Sequence, residues 1–284
     1  MAFVHATFAV TPSSPVCGIF GRMSPNPTHP YGRRPVLRRA LPPSLLPVLL
    51  VALVVAGCAV APAASPQPPP TPLVLVSLDG YHPDYLARGH SPTLQALAEG
   101  GVRAAWMNPS YPSLTFPNHY TLVTGLRPDR HGIVENSMSD PDLGSFALHN
   151  RAAVGDGRWW GGEPIWVTAQ RAGQRTATMF WPGSEAPIQG IQPNHWFAFD
   201  GAKPMQDRVD AVLGWMDLPA GERPVFVTLY FERVDSAGHY YGPDAPELDQ
   251  ALRDTDQALA RLVEGLQARG LEGKVNLVIV SDHG

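Results

Sequence analysis

Three stretches of the chain are apolar without alternation, and each closes on an acidic residue. They are LVLVSLDG at 73–80, PVFVTLYFERVD at 224–235 and VNLVIVSDHG at 275–284. A half-exposed strand alternates apolar and polar positions. A continuous run rich in Val, Leu and Ile instead suits a central strand of a parallel sheet covered on both faces. A shorter strand-like run, RTATMFW, follows GEPIWVTAQRAG (162–173), which reads as a short helix. Elsewhere the period is helical. SPTLQALAEGG offers Ser91 as an N-cap, Pro92 in the first turn and Gly100 as a stop. Leu248, Leu252, Thr255, Leu259, Leu262 and Leu266 recur at steps of four and three, one face of an amphipathic helix closed by Gly270. Asp84, Asp254 and Asp256 read as solvated helix charges. Trp159 and Trp160 read as packing under a loop, and Trp166 and Trp181 as core or pocket wall. Strands alternating with helices predict an α/β domain with a mostly parallel sheet flanked by helices. Ligands of such folds gather beyond the carboxyl ends of the strands. Asp79, Asp235 and the Asp282–His283 pair all fall at that edge.

A further apolar stretch, LPPSLLPVLLVALVVAG at 41–57, changes the picture of the N-terminal part. It follows RRPVLRR, with four arginines, and precedes Cys58. A basic segment, a short apolar core and small residues before a cysteine describe an export signal. The unbroken apolar core is shorter than the ~20 residues a spanning helix needs. VAGC at 55–58 resembles a bacterial lipobox, which makes Cys58 a candidate for lipidation and the membrane a partner through a lipid anchor. Residues 1–30 read as an overlong start, with Met23 a candidate initiator. The proline- and alanine-rich segment after Cys58 reads as a semi-extended spacer. The expected organisation is therefore 1–58 as extension and signal, 59–71 as linker and 72–284 as the catalytic domain. The expected location is exported, in the periplasm or as a membrane-anchored lipoprotein. Cys17 and Cys58 are the only cysteines, so the exported domain has no disulfide of its own. A net charge of −4 and no basic run after residue 39 give no sign of a nucleic-acid surface.

The charged positions suggest chemistry. Asp235 and His239 are four apart, on one face of a helical turn, and a carboxylate with an imidazole suits zinc. SDHG and SLDG bring two more carboxylates and a histidine to the same edge. Crowded carboxylates repel unless protonated or neutralised. A pair of divalent cations would neutralise them, and two-metal sites with such ligands carry out phosphate-ester displacement. YPSLTFPNHY at 111–120 then gains interest. Thr115 stands just before a short helix that Gly125 ends, where free N–H groups and the helix dipole favour a phosphate. There it is a candidate nucleophile rather than an ordinary cap.

These residues lie in longer motifs: LVSLDGYHPDYL, YPSLTFPNHYTLVTGLRPDRHGIVEN, GEPIWVTAQRAG, YFERVDSAGHYYGP and VIVSDHG. Together they resemble the nucleotide pyrophosphatase/phosphodiesterase family of the alkaline phosphatase superfamily, especially its bacterial members, from about residue 72 onward. The resemblance implies an alkaline-phosphatase-like fold and two zinc ions. It assigns Asp79, Thr115, Asp282 and His283 to the metal beside the nucleophile, and Asp235 and His239 to the other. It implies that Asn136 holds a non-bridging phosphate oxygen, and that Phe116, Tyr230 and, by a looser alignment, Phe199 stack a nucleobase. His119 and His131 lie within a family motif without being metal ligands there. The implied reaction is hydrolysis of nucleotide phosphodiesters or pyrophosphates through a phosphothreonine, releasing nucleoside monophosphates. The family's second metal takes a further histidine well downstream of SDHG, whereas this sequence stops at Gly284. The resemblance therefore implies a truncated member whose sheet is incomplete at the C-terminus. Alternative readings are a related two-zinc hydrolase of lipid-headgroup diesters or phosphonates, and a non-catalytic remnant without a complete second metal site.

Overall fold

The computed structural model describes residues 2–5 and 70–284. The signal-like segment, Cys58 and the linker up to residue 69 lie outside the described residues. The strands are β1 (Ala2–His5), β2 (Leu73–Leu78), β3 (Val102–Arg103), β4 (Ser137–Asp140), β5 (Gly144–Ala147), β6 (Thr176–Met179), β7 (His195–Phe197), β8 (Phe226–Phe231) and β9 (Asn276–Val280). The helices are α1 (Pro92–Gly100), α2 (Thr115–Thr124), α3 (Pro128–His131), α4 (Arg151–Val154), α5 (Ile165–Arg171), α6 (Met205–Met216), α7 (Arg233–Tyr241) and α8 (Pro246–Ala268).

The continuous apolar runs become the middle of one sheet, ordered β3-β1-β9-β2-β8-β6-β7. From β9 through β2, β8 and β6 to β7 every pairing is parallel. The fold class is thus the expected one, and its cause can be followed along β2. Val74, Val76 and Leu78 enter a core shared with Leu252, Leu259 and Leu262 of α8 and Val209 and Val212 of α6. Leu75 points the other way, to a core with Tyr120, Trp160 and Trp166. Both faces are covered, so both sets of positions must be apolar. Among the described residues, no helix is long and apolar enough to cross a membrane.

Three details depart from the sequence reading. Residues 2–5, read as upstream of the domain, run antiparallel to β9 and β3. The open edge of β9 offers unpaired backbone groups that any extended segment can satisfy. Ser91 does not cap α1 with its side chain; its hydroxyl accepts from Tyr81 Oη at 3.0 Å. The cap comes from Asp256 of α8, which accepts from the backbone N of Thr93 at 3.0 Å and of Leu94 at 2.9 Å. Asp256 is therefore buried, not a solvated charge. A carboxylate meets two N–H groups and the positive helix end at once, which a single hydroxyl cannot match. Trp160 packs under its loop as expected, its indole donating to Val154 O at 2.9 Å.

Candidate active site

The parallel strands deliver their acidic termini to one place. Asp79 follows β2, Asp282 and His283 follow β9, and Asp235 lies in the first turn of α7, just after β8. Gly80 makes this possible. Its φ is +67°, and a Cβ there would meet Asp235 Cα at 2.9 Å, so the segment after β2 and the start of α7 approach closely only without a side chain. The backbone N of Asp235 in turn donates to Asp79 O at 3.1 Å.

His283 Nε2 lies 3.3 Å from Asp79 Oδ1, 3.3 Å from Asp282 Oδ2 and 3.8 Å from Asp235 Oδ1. The ligand atoms of Asp79, Asp235 and His283 all lie within 4.8 Å of one another, as do those of Asp79, His119 and Asp282. Asp79 and Asp282 are each only 1% exposed, yet Asp79 Oδ1 and Asp282 Oδ2 have no hydrogen-bond partner. Their other oxygens are satisfied: Tyr230 Oη donates to Asp79 Oδ2 at 2.6 Å, and Gly80 N to Asp282 Oδ1 at 3.3 Å. Burial, with the neighbouring Asp282 adding to it, pushes the Asp79 carboxyl well above the usual range. Burial likewise lifts Asp282 to about 7. Burial lowers His119 and raises Tyr230, the latter helped by the Asp79 charge. Buried carboxylate oxygens without donors are costly in an apolar interior. Beside an imidazole they form a donor set suited to zinc or a similar divalent cation. The residues present fit the expected metal.

Thr115 opens α2, whose N-cap, Leu114, provides no side-chain cap. Pro117 has no N–H and Asn118 N donates to Leu114 O at 3.1 Å, so the first turn offers the N–H of Thr115 and that of Phe116, which donates to Asn136 Oδ1 at 2.9 Å. This bond places Asn136 beside the nucleophile candidate and occupies its carbonyl, so the amide's N–H donors are its free end. Thr115, Asp79 and Asp235 share a cavity of about 390 Å3 with Phe116, Tyr230 and Phe199. Phe199 packs edge-on against Tyr230 and Phe180, with centroids 6.1 and 5.3 Å away. All three expected aromatic positions thus line one cavity. Tyr230 does more than form a wall, because its hydroxyl ties that wall to Asp79. His239 stands apart: its Nε2 is 3.4 Å from Asp235 Oδ1, but its side chain is 76% exposed and belongs to neither acid cluster.

The structure adds residues that the sequence reading missed. Arg208 is almost fully buried. It donates to Tyr230 O at 3.1 Å and pairs with Glu232, and its guanidinium lies 5.0 Å over the Phe180 ring. Phe180 itself has φ 56°, a left-handed conformation that bulky residues rarely adopt. Glu185 forms an ion pair with Arg151 and accepts from Phe199 N at 2.9 Å. A periodic reading of α6 holds a signal for Arg208: with Val212 and Trp215 it marks one buried helix face.

Fold and site together define an α/β protein of alkaline-phosphatase-like architecture, with an acid-rich centre at the carboxyl edge of its sheet. More narrowly, residues 73–284 match the family model for type I phosphodiesterase / nucleotide pyrophosphatase, and the chain belongs to that family. It is 42% identical over 214 residues to an uncharacterized pyrophosphatase/phosphodiesterase of Schizosaccharomyces pombe, a match covering 75% of this chain and 44% of the relative. It is 44% identical over 216 residues to human ectonucleotide pyrophosphatase/phosphodiesterase family member 1, covering 75% of this chain and 23% of that one. Among solved structures it resembles an inactive threonine-to-alanine variant of murine ectonucleotide pyrophosphatase/phosphodiesterase 5 in complex with AMP. That match has TM-score 0.72 and 34% identity, over 75% of this chain and 57% of the murine one. The chain thus spans less than half the length of these curated relatives.

Proposed function

We propose that this domain hydrolyses phosphodiester or pyrophosphate bonds of nucleotide-type substrates, with Thr115 as nucleophile. One observation carries the reading. Thr115, at the N-terminus of α2, lines one cavity with the buried carboxylate of Asp79, whose Oδ1 accepts no hydrogen bond. Asp79, Thr115, Asp282 and His283 would hold one zinc ion, and Asp235 with His239 would contribute to a second. When bound, the ions supply Lewis acidity and positive charge against the phosphoryl oxygens.

The chain's own residues do the rest. Phe116, Tyr230 and Phe199 grip the base and so fix the phosphorus over Thr115, which converts binding into orientation. Thr115 Oγ loses its proton to water and bonds to phosphorus, while the bond to the leaving oxygen breaks on the opposite side. The amide donors of Asn136 and the backbone N–H of Thr115 stabilise charge on the non-bridging oxygens, usually the largest catalytic contribution. Water then attacks the phosphothreonine and restores the hydroxyl, releasing a nucleoside monophosphate. The description of the murine threonine-to-alanine variant as inactive, and its AMP complex, support this reading. The aromatic cavity favours nucleotides over lipid-headgroup diesters or phosphonates. A faster rate on nucleoside nitrophenyl phosphates than on phosphocholine esters is expected, and the reverse order would reassign the substrate. Thr115→Ala is expected to lower turnover by at least about 1,000-fold, and unchanged turnover would remove Thr115 as nucleophile. Export and a lipid anchor at Cys58 complete the proposal on sequence grounds; mass spectrometry of the N-terminal peptide tests them.

A further inference from the structure

Beneath the cleft lies a buried pair that the reaction above does not use. Ser77 of β2 and His119 of α2 are both fully buried. His119 Nε2 lies 2.8 Å from Ser77 Oγ. Its Nδ1 lies 2.8 Å from the carbonyl oxygen of Thr115 and 3.4 Å from Asp282 Oδ2. The ring cannot turn freely. Trp181 and Tyr230 meet it edge-on, with centroids 5.0 and 5.2 Å away, and the Trp181 indole donates to His119 O at 3.0 Å.

A carbonyl oxygen only accepts, so the 2.8 Å contact requires the proton on Nδ1. Nε2 is then the acceptor, and the Ser77 hydroxyl donates to it. That N–H faces the backbone of the nucleophile candidate on one side and a carboxylate of the expected metal centre on the other. We infer that Ser77 and His119 form a positioning pair, in which the serine fixes the imidazole tautomer and the imidazole sets Thr115 against Asp282. Ser77 lies in β2, two residues ahead of Asp79, which follows the strand, so β2 positions both a candidate ligand and the anchor of the nucleophile helix. The inference builds on the proposed role of Thr115. It also decides between two uses of His119, because the ring's nearness to Asp79 and Asp282 would equally let a bare Nδ1 bind a cation.

The test is nitrogen-15 NMR of the full chain labelled at histidine, metal-free and loaded with zinc, with His119 assigned from a His119→Asn variant. A protonated Nδ1 that persists in the zinc-loaded protein is expected. A bare Nδ1 there would make His119 a ligand and overturn the inference. In parallel, Ser77→Ala removes one atom from a strand whose backbone pairing is untouched. It is expected to lower kcat about 10-fold, as loss of a partner behind a metal site commonly does, with KM and zinc content unchanged and with recovery in Ser77→Thr. An undiminished kcat in Ser77→Ala would also overturn the inference. The tautomer is read whether or not the chain turns over, so failure of the phosphodiesterase reading and failure of the positioning role give different results.

Discussion

Two places in this molecule bury aspartate, and they treat it in opposite ways. Asp256 is only 6% exposed, and each of its oxygens accepts a backbone N–H from the first turn of α1. Asp79 and Asp282 are buried at least as deeply, but one oxygen of each accepts no hydrogen bond and has only imidazole nitrogens 3.3 to 3.4 Å away. A capping carboxylate stabilises the fold it sits in. A crowded, half-satisfied pair destabilises it unless protons or cations are added. The same side chain is structural where the protein supplies its partners, and a candidate for chemistry where the partner must come from outside.

One substitution at each place sharpens the contrast. Asp79→Asn removes charge from the crowded centre, and the expected effect is loss of zinc binding and turnover together with a metal-free protein that melts higher. Zinc titration and thermal melts measure both, and a lower melting temperature would contradict the destabilising role. Asp256→Ala should do the reverse: a loss of about 2 kcal/mol from the missing cap, with zinc affinity unchanged. Denaturant unfolding reads this directly.

The pH dependence separates the places further. Asp282 has its carboxyl raised to about 7, so between about pH 4 and 7 the folded, metal-free protein holds a proton that the unfolded chain has released. Its stabilising contribution is complete below pH 4 and is lost as pH rises through 7. Asp282→Asn should remove that fall, as should zinc. His131 runs the other way. Burial lowers it to about 4, so its contribution is present above about pH 6.5 and is lost as pH falls from there toward 4. A His131→Gln variant should show a shallower acid limb in melts recorded across that range, the smallest of these effects.

The contrast also shows what the sequence could reveal. Asp79, Asp235 and Asp282 were legible because each closely follows a mostly apolar run without alternation, and parallel strands bring their carboxyl ends together whatever the details of packing. The strands themselves were found to within a few residues for the same reason. Asp256 was misread because its role depends on where α1 docks against α8, a tertiary contact with no mark in the local pattern. Ser91 was misread as a cap for the complementary reason, since Tyr81 claims its hydroxyl. Strand β7 and the β4–β5 hairpin are three or four residues long, too short for periodicity to register. Among the site residues, Thr115 and Asn136 come together through the bond from Phe116 N to Asn136 Oδ1, a contact between residues 20 positions apart. The family motif marked both residues, but spacing alone could not.

The most direct measurement is calorimetric titration of the metal-free full chain with zinc near pH 6.5, repeated in buffers of different protonation enthalpy. If the unpartnered oxygens of Asp79 and Asp282 await a cation, binding is saturable and releases at least one proton per chain, because the raised carboxyls must ionise to coordinate. No binding, or binding without proton release, would contradict the assignment of this buried acid cluster as a metal centre.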